Sequence, residues 1–167
     1  MVGRHDVIHQ EGDLVYYSPF VFDKNPYHGV TVPILVVDLL ELVEDSKNLC
    51  RRHYGNQFRG LFYKNHPLNK ISVVGVVVGC RYKCIGDDAY IFMQLDDCSG
   101  SARFLQCKCL EPLAMENGLS WGSICGQKLR ISGAFNLWYR EMVVEWIDFI
   151  PDIIAEIEHW QSAIEFR

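Results

Sequence analysis

The chain has 167 residues, 49% of them hydrophobic, which is enough to bury one good core and a small appendage. Its 16 basic and 21 acidic residues leave a formal charge of -5, which excludes a strongly basic, non-specific polyanion binder. From Glu141 onward the acidic residues Glu141, Glu145, Asp148, Asp152, Glu156, Glu158 and Glu165 face the single cation Arg167.

One domain is expected. No segment approaches the roughly 18 to 20 uninterrupted apolar residues of a membrane helix, and "MVGRHDVIHQ" lacks the apolar block of a signal peptide, so a soluble, intracellular protein is expected. The seven cysteines (Cys50, Cys80, Cys84, Cys98, Cys107, Cys109 and Cys125) are odd in number and scattered, as reduced thiols would be. Cys80-x3-Cys84 and Cys107-x-Cys109 raise the question of zinc. Zinc knuckles usually place C-x2-4-C pairs on tight turns, whereas i and i+2 of a strand simply face the same way. Small buried hydrophobes are the plainer reading.

Up to about Lys70 the chain reads as an arm. "YYSPFVFDKNPYHG" is rich in aromatics and turn formers, and "TVPILVVDLLELVEDS" carries a short apolar face of Leu39, Leu40, Leu42 and Val43. This predicts an extended arm ending in a helical turn or short helix. "KNLCRRHYGNQFRGLFYKNHP" is polar, with Gly55 and Gly60, and reads as a loop leading to a turn at His66-Pro67.

From Lys70 the texture is that of strands. "ISVVGVVVGCRYKC" is β-branched, with Gly75 and Gly79 marking a sharp bend or a close approach of another backbone. "AYIFMQLDD" and "SARFLQCKCL" follow as a second and third strand, and "GQKLRISGAF" and "REMVVEWIDFI" as a fourth and fifth. Between the third and fourth, "EPLAMENGLSWGSIC" predicts a short helix begun by Pro112 and capped at Gly118. After Pro151, "DIIAEIEHWQSAIEF" is the only long helical pattern.

Within "LDDCSG", Asp96 and Asp97 follow the core-facing run Ile91, Met93 and Leu95, with Tyr90, Phe92 and Gln94 outward. Asp, Ser and Gly are turn formers, so this is a turn between strands two and three rather than a metal site or a catalytic acid pair. In strand three neither Arg103, Leu105 and Cys107 nor Ala102, Phe104 and Gln106 is clearly the core set. A glycine-bent first strand, a hairpin, a connecting helix and a last strand pair match a mainly β OB-fold, a five-stranded Greek-key barrel. The expected division is an arm and loop over 1–69, the barrel over 70–150 and a C-terminal helix over 151–167.

"NHPLNKISVVGVVVGCRYK", "YIFMQLDDCSGSARFLQC" and "GQKLRISGAF" together resemble the N-terminal OB domain of the Stn-type subunit of the telomeric CST complex, a relative of the replication protein A middle subunit. "VPILVVDLLEL" is similar to the arm before the barrel in both families, and the resemblance runs from about Val32 to the end of the last helix. It implies a non-enzymatic nuclear protein at chromosome ends. Its implied partners are a small Ten-type OB subunit, a large CST subunit, polymerase alpha-primase and single-stranded G-rich telomeric DNA. No cofactor is implied, and C-terminal winged-helix domains are usual in the family.

Two surfaces are candidates for function. In the last helix Ile153, Ile157, Trp160 and Ile164 recur every three or four residues with Ile154 beside them, while Glu156, Glu158, Gln161 and Glu165 lie largely off the stripe. The stripe either packs on the chain's own barrel or serves a partner. Because it follows an already closed core, and because both resembling families dimerise through helices after the barrel, partner binding is expected, with Trp160 and Ile157 as anchors.

Single-stranded DNA is the second candidate ligand. Arg81, Tyr82 and Lys83 are expected in the first barrel loop and Trp138, Tyr139 and Arg140 in the last, with Tyr90 and Phe92 outward on strand two. Stacking aromatics beside cations suit bases and phosphates. The plainer reading is ordinary hairpin surface covered by the arm. A replication protein A-like factor and a protein-bridging module without DNA contact are the alternatives. No nucleophile elbow, phosphate loop or metalloprotease helix is present in the sequence.

Overall fold

The computed structural model describes residues 7–12, 14–55, 60–100, 103–150 and 152–167. The arm is more structured than its sequence predicts. β1 (Val7–Glu11) and β2 (Leu14–Tyr17) form an antiparallel hairpin with an irregularity between Val7 and His9. A 3-10 turn over Pro19–Lys24 leads to β3 (Thr31–Pro33) and then to α1 (Val36–Leu49).

α1 has 14 residues and runs on through a π turn, Cys50–Tyr54, so the short helix and the polar loop of the sequence reading are both corrected. Val36, Leu39, Val43, Ser46, Cys50 and Tyr54 are all buried, at spacings of three or four, and form one continuous face. The polar residues Arg51 and Arg52 lie on the opposite, exposed side. Gly55, at φ 59°, ends the helical run. Past residues 56–59, β4 (Leu61–Tyr63) and β5 (His66–Leu68) form a small hairpin that includes the His66-Pro67 lead-in. The buried Ser46 Oγ ties it to α1 by accepting from the Phe62 amide at 2.8 Å.

The barrel consists of β6 (Lys70–Ile85), β7 (Asp88–Asp96), β8 (Leu105–Leu110), β9 (Lys128–Asn136) and β10 (Glu141–Phe149), with α2 (Glu111–Glu116) between β8 and β9. The ring closes in the order β6-β7-β8-β10-β9 and back to β6. Only the β8–β10 pairing in it is parallel. This is the five-stranded Greek-key OB-fold. Gly75 permits its curvature, since a Cβ there would run into the Asp96 carbonyl.

Alternation sets the core. Ile91, Met93 and Leu95 of β7 point inward with Leu129 and Ile131 of β9 and Met142, Val144 and Ile147 of β10. β8 contributes Leu105, Cys107 and Cys109, which resolves the parity of strand three. Strand three begins at Leu105; Arg103 and Phe104 are exposed before it, and Ser101 and Ala102 lie outside the described residues. Burial lifts the Cys109 thiol to about 11 and the Cys107 thiol further, so these two behave as core side chains.

The turn after β7 holds the arm to the barrel. Leu35, at the start of α1, offers no side-chain cap. Instead Asp97 Oδ2 accepts from the Val36 amide at 2.7 Å, and Ser99 Oγ accepts from the Val37 amide at 3.2 Å. Asp97 is 3% exposed and also accepts from the Ser99 amide and hydroxyl. A carboxylate at a helix N-terminus satisfies orphan donors and the positive end of the helix dipole. The turn expected from "LDDCSG" is therefore also a cap delivered from 61 residues away.

α3 (Ile153–Phe166), beyond Pro151, which lies outside the described residues, completes the fold beside β3. It is as long as α1, so it is not the only long helix.

Candidate partner and nucleic-acid surfaces

α3 starts at Asp152, whose side chain accepts from the Ala155 amide at 2.9 Å, a regular N-cap. The face it lays on the body is not its isoleucine stripe. His159 and Ala163 are buried, at 5% and 2% exposure, while Ala155 and Phe166 are half-buried. Phe166 packs on Tyr63 with ring centroids 4.4 Å apart. Lys128 pairs with Glu156, and Arg167 pairs with Asp38 of α1 at 2.8 Å.

Ile153, Ile154, Ile157 and Ile164 point away, at 65%, 63%, 45% and 55% exposure. Trp160 is half-buried, and its indole Nε1 meets no acceptor among the described residues. Four exposed isoleucines on one helix form an apolar surface that the chain itself leaves uncovered. On another side of α3, away from the isoleucines, Trp146 of β10, 49% exposed, lines a cleft of about 470 Å³ together with Arg130, Asp148, Glu158 and His159. Trp146 escaped the sequence reading because β10 shifts register between Val144 and Trp146, which breaks simple alternation.

The first cationic group lies elsewhere than expected. Arg81, Tyr82 and Lys83 are in β6, not in a loop; they pair with Phe92, Ile91 and Tyr90 of β7, and the turn itself is only Gly86-Asp87. These polar residues extend a ribbon past the barrel core, where both faces are wet. Strand register places Arg81, Phe92 and Lys108 in one row across β6, β7 and β8, and Lys83, Tyr90 and Leu110 in the next. The Arg81 guanidinium lies 5.0 Å from the Phe92 ring centre and Lys108 Nζ lies 4.0 Å from that of Tyr90. Aromatic faces and cations thus alternate on one outer sheet face. Lys108 was missed, although its outward position follows once Cys107 and Cys109 are seen as core.

Trp138, Tyr139 and Arg140 do form the turn before β10. The Asn136 side chain accepts from the Trp138 and Tyr139 amides, and Tyr139 is 74% exposed. Arg140 pairs with Glu44 of α1, so its charge is shared with the arm. β10 starts beside Gln106–Lys108 of β8, so this turn stands near one end of the aromatic rows and the Gly86-Asp87 turn at the other. The structure brings Arg81, Lys83, Tyr90 and Phe92 together and keeps Trp138–Arg140 as a separate rim. Tyr82 is directed to Glu111 instead.

The comparisons agree with this architecture. The family model "Telomere regulation protein Stn1" matches residues 8–167. Protein STN1 of Saccharomyces cerevisiae is 36% identical over 172 residues, covering 96% of this chain; the chain spans 35% of that relative's length. Among solved structures, yeast Stn1 and Ten1 aligns at 21% identity with a TM-score of 0.83, over 97% of this chain and 88% of that one. The S. pombe Stn1-Ten1 complex follows at 16% identity and 0.60, covering 81% and 89%. A replication protein A heterotrimer bound to single-stranded DNA aligns at 10% and 0.55, covering 81% and 93%. These three establish likeness of fold, and the match along nearly the whole sequence establishes more: the chain belongs to the Stn1 family of telomere regulation proteins.

Proposed function

We propose that the chain is the OB-fold part of a non-enzymatic telomere-capping subunit that docks a small Ten-type OB partner through α3. In this reading 1–69 braces the barrel, 70–150 is the barrel and 151–167 is the docking helix. The observation that carries it is the outward stripe of Ile153, Ile154, Ile157 and Ile164, with Trp160 at its edge. Two similar structures contain Stn1 together with Ten1, which supports a small OB subunit as the occupant. Chromosome ends in the nucleus are the corresponding location. A large CST subunit and polymerase alpha-primase are the further partners this reading implies.

Single-stranded, G-rich telomeric DNA is the proposed ligand of the β6–β7–β8 face. The Arg81–Phe92–Lys108 and Lys83–Tyr90 rows supply stacking surfaces and phosphate contacts, and Trp138 and Tyr139 flank them. Base stacking contributes on the order of 1–3 kcal/mol per base. With a net charge of -5 there is no general attraction to add to it, so binding by this chain is weak and salt-sensitive.

Co-expression with the small OB partner, followed by gel filtration and titration with a G-rich oligonucleotide, tests both parts. Ile157→Glu is expected to abolish a one-to-one complex while the circular dichroism of the barrel stays unchanged. An intact complex would refute the docking surface. Phe92→Ala is expected to weaken oligonucleotide binding roughly tenfold and leave the complex intact. Unchanged DNA affinity would favour the bridging module without DNA contact.

A further inference from the structure

We propose that His9, Glu11 and His53 form a binding site for one zinc ion that clips the N-terminal hairpin to the end of α1. Their donor atoms all lie within 4.8 Å of one another. Two backbone irregularities create the cluster. The register shift between Val7 and His9 re-aims His9 on β1, and the π turn after α1 carries His53 to meet it. Glu11 is two residues beyond His9 on the same strand, and so on the same face. Among the described residues, no hydrogen bond or ion pair engages the Glu11 carboxylate.

The donor set is chemically selective. Two imidazoles and a carboxylate suit zinc and related borderline cations, whereas magnesium and calcium prefer oxygen ligands alone. Ligands at about 2.0–2.1 Å from a shared tetrahedral zinc are roughly 3.3 Å apart. The His9 and His53 rings are stacked, with centroids 4.3 Å apart and planes 22° apart, so binding requires them to open into a V. His9 and Glu11 are exposed and free to make that movement; Tyr16, stacked 4.9 Å from His53, backs the site. Glu11 and His53 line one cleft together with Arg52 and Lys64, which oppose cation entry, and Asp45, which favours it. Three protein ligands leave a fourth position for water.

The location suggests what the ion does. All five residues of β1 are exposed, and its ring contacts are those of His9 with Tyr16 and His53. A metal held from β1 and from the π turn would pin an otherwise loosely anchored strand.

The experiment is calorimetric titration of zinc into the 167-residue chain, alongside Glu11→Gln, His53→Asn and a Cys80→Ser/Cys125→Ser control. The control is needed because Cys80 Sγ and Cys125 Sγ lie 3.4 Å apart and are a rival site. One zinc per chain is expected, with affinity falling more than about tenfold in Glu11→Gln and His53→Asn, and holding in the cysteine control. Amide exchange in β1 is expected to slow when zinc is added. Glu11→Gln is a conservative change at an exposed position, so it separates ligation from folding. The proposal is overturned by absence of saturable binding, by binding lost only in the cysteine control, or by binding that survives all the variants.

Discussion

α1 and α3 are both 14 residues long and both lie against the same barrel, yet they are built for opposite ends. α1 buries Val36, Leu39 and Val43 completely and takes its N-terminal cap from the barrel. α3 supplies its own cap, seats His159 and Ala163 inward, and leaves its four isoleucines to solvent. Hydrophobicity by itself therefore does not say which face of a helix belongs to the core. In α3 the face that docks on the chain is the smaller and more polar one, and the larger apolar face is left exposed.

Substitutions can break or sharpen that contrast. The largest effect is expected from Leu39→Ala, which empties a fully buried position and should cost about 3 kcal/mol in urea unfolding. A loss below about 1 kcal/mol would mean that the inner face of α1 is not packed as a core. Asp97→Ala comes next. It strips the cap from α1 and leaves the buried Val36 amide unpartnered, at about 2 kcal/mol by the same measurement.

His159 gives a smaller effect that depends on pH. Burial pushes its imidazole below the ordinary value of 6.5 and Arg130 adds to this, while a hydrogen bond to the Ile34 backbone and the charge of Asp97 act the other way. Asp148 and Glu158 line the cleft beside it. The unfolded chain takes up its proton near 6.5 and the folded chain only at lower pH, so stability falls as pH drops through and below that value. His53 and His66 are also lowered by burial and contribute in the same direction. Comparing urea midpoints at about pH 7.5 and about pH 5.5, His159→Gln should narrow the difference without removing it. An unchanged difference would mean that His159 is as accessible to protons as in the unfolded chain. The smallest effect is expected from Ile164→Ala, within about 0.5 kcal/mol for the isolated chain; a core-sized loss would return the stripe to the barrel.

Much of the barrel was legible in the sequence because two-residue alternation survives in β7 and β9, and because Pro112 and Gly118 bracket α2. The rest was hidden for particular reasons. The buried face of α1 continues through Ser46, Cys50 and Tyr54, which carry no aliphatic signal. Arg81–Lys83 read as a loop because a strand running past its core loses its apolar face. Lys108 was obscured by the unsettled parity of Cys107 and Cys109, and Trp146 by a shift in register. The α3 stripe was visible in the sequence, and its outward direction was expected from the closed barrel that precedes it and from the family resemblance, since nothing in the spacing itself distinguishes a core from a partner.

The remote cap on α1 also has a consequence for the order of events at the ribosome. Residues 36–49 emerge well before the Asp97 carboxylate that they need, and the intervening chain must fold back as β6 and β7 before the two can meet. Until then only water accepts from the leading amides of α1, and short helices without tertiary support are marginal in water. The arm is thus synthesised first and completed late, fastened by the hairpin it will brace.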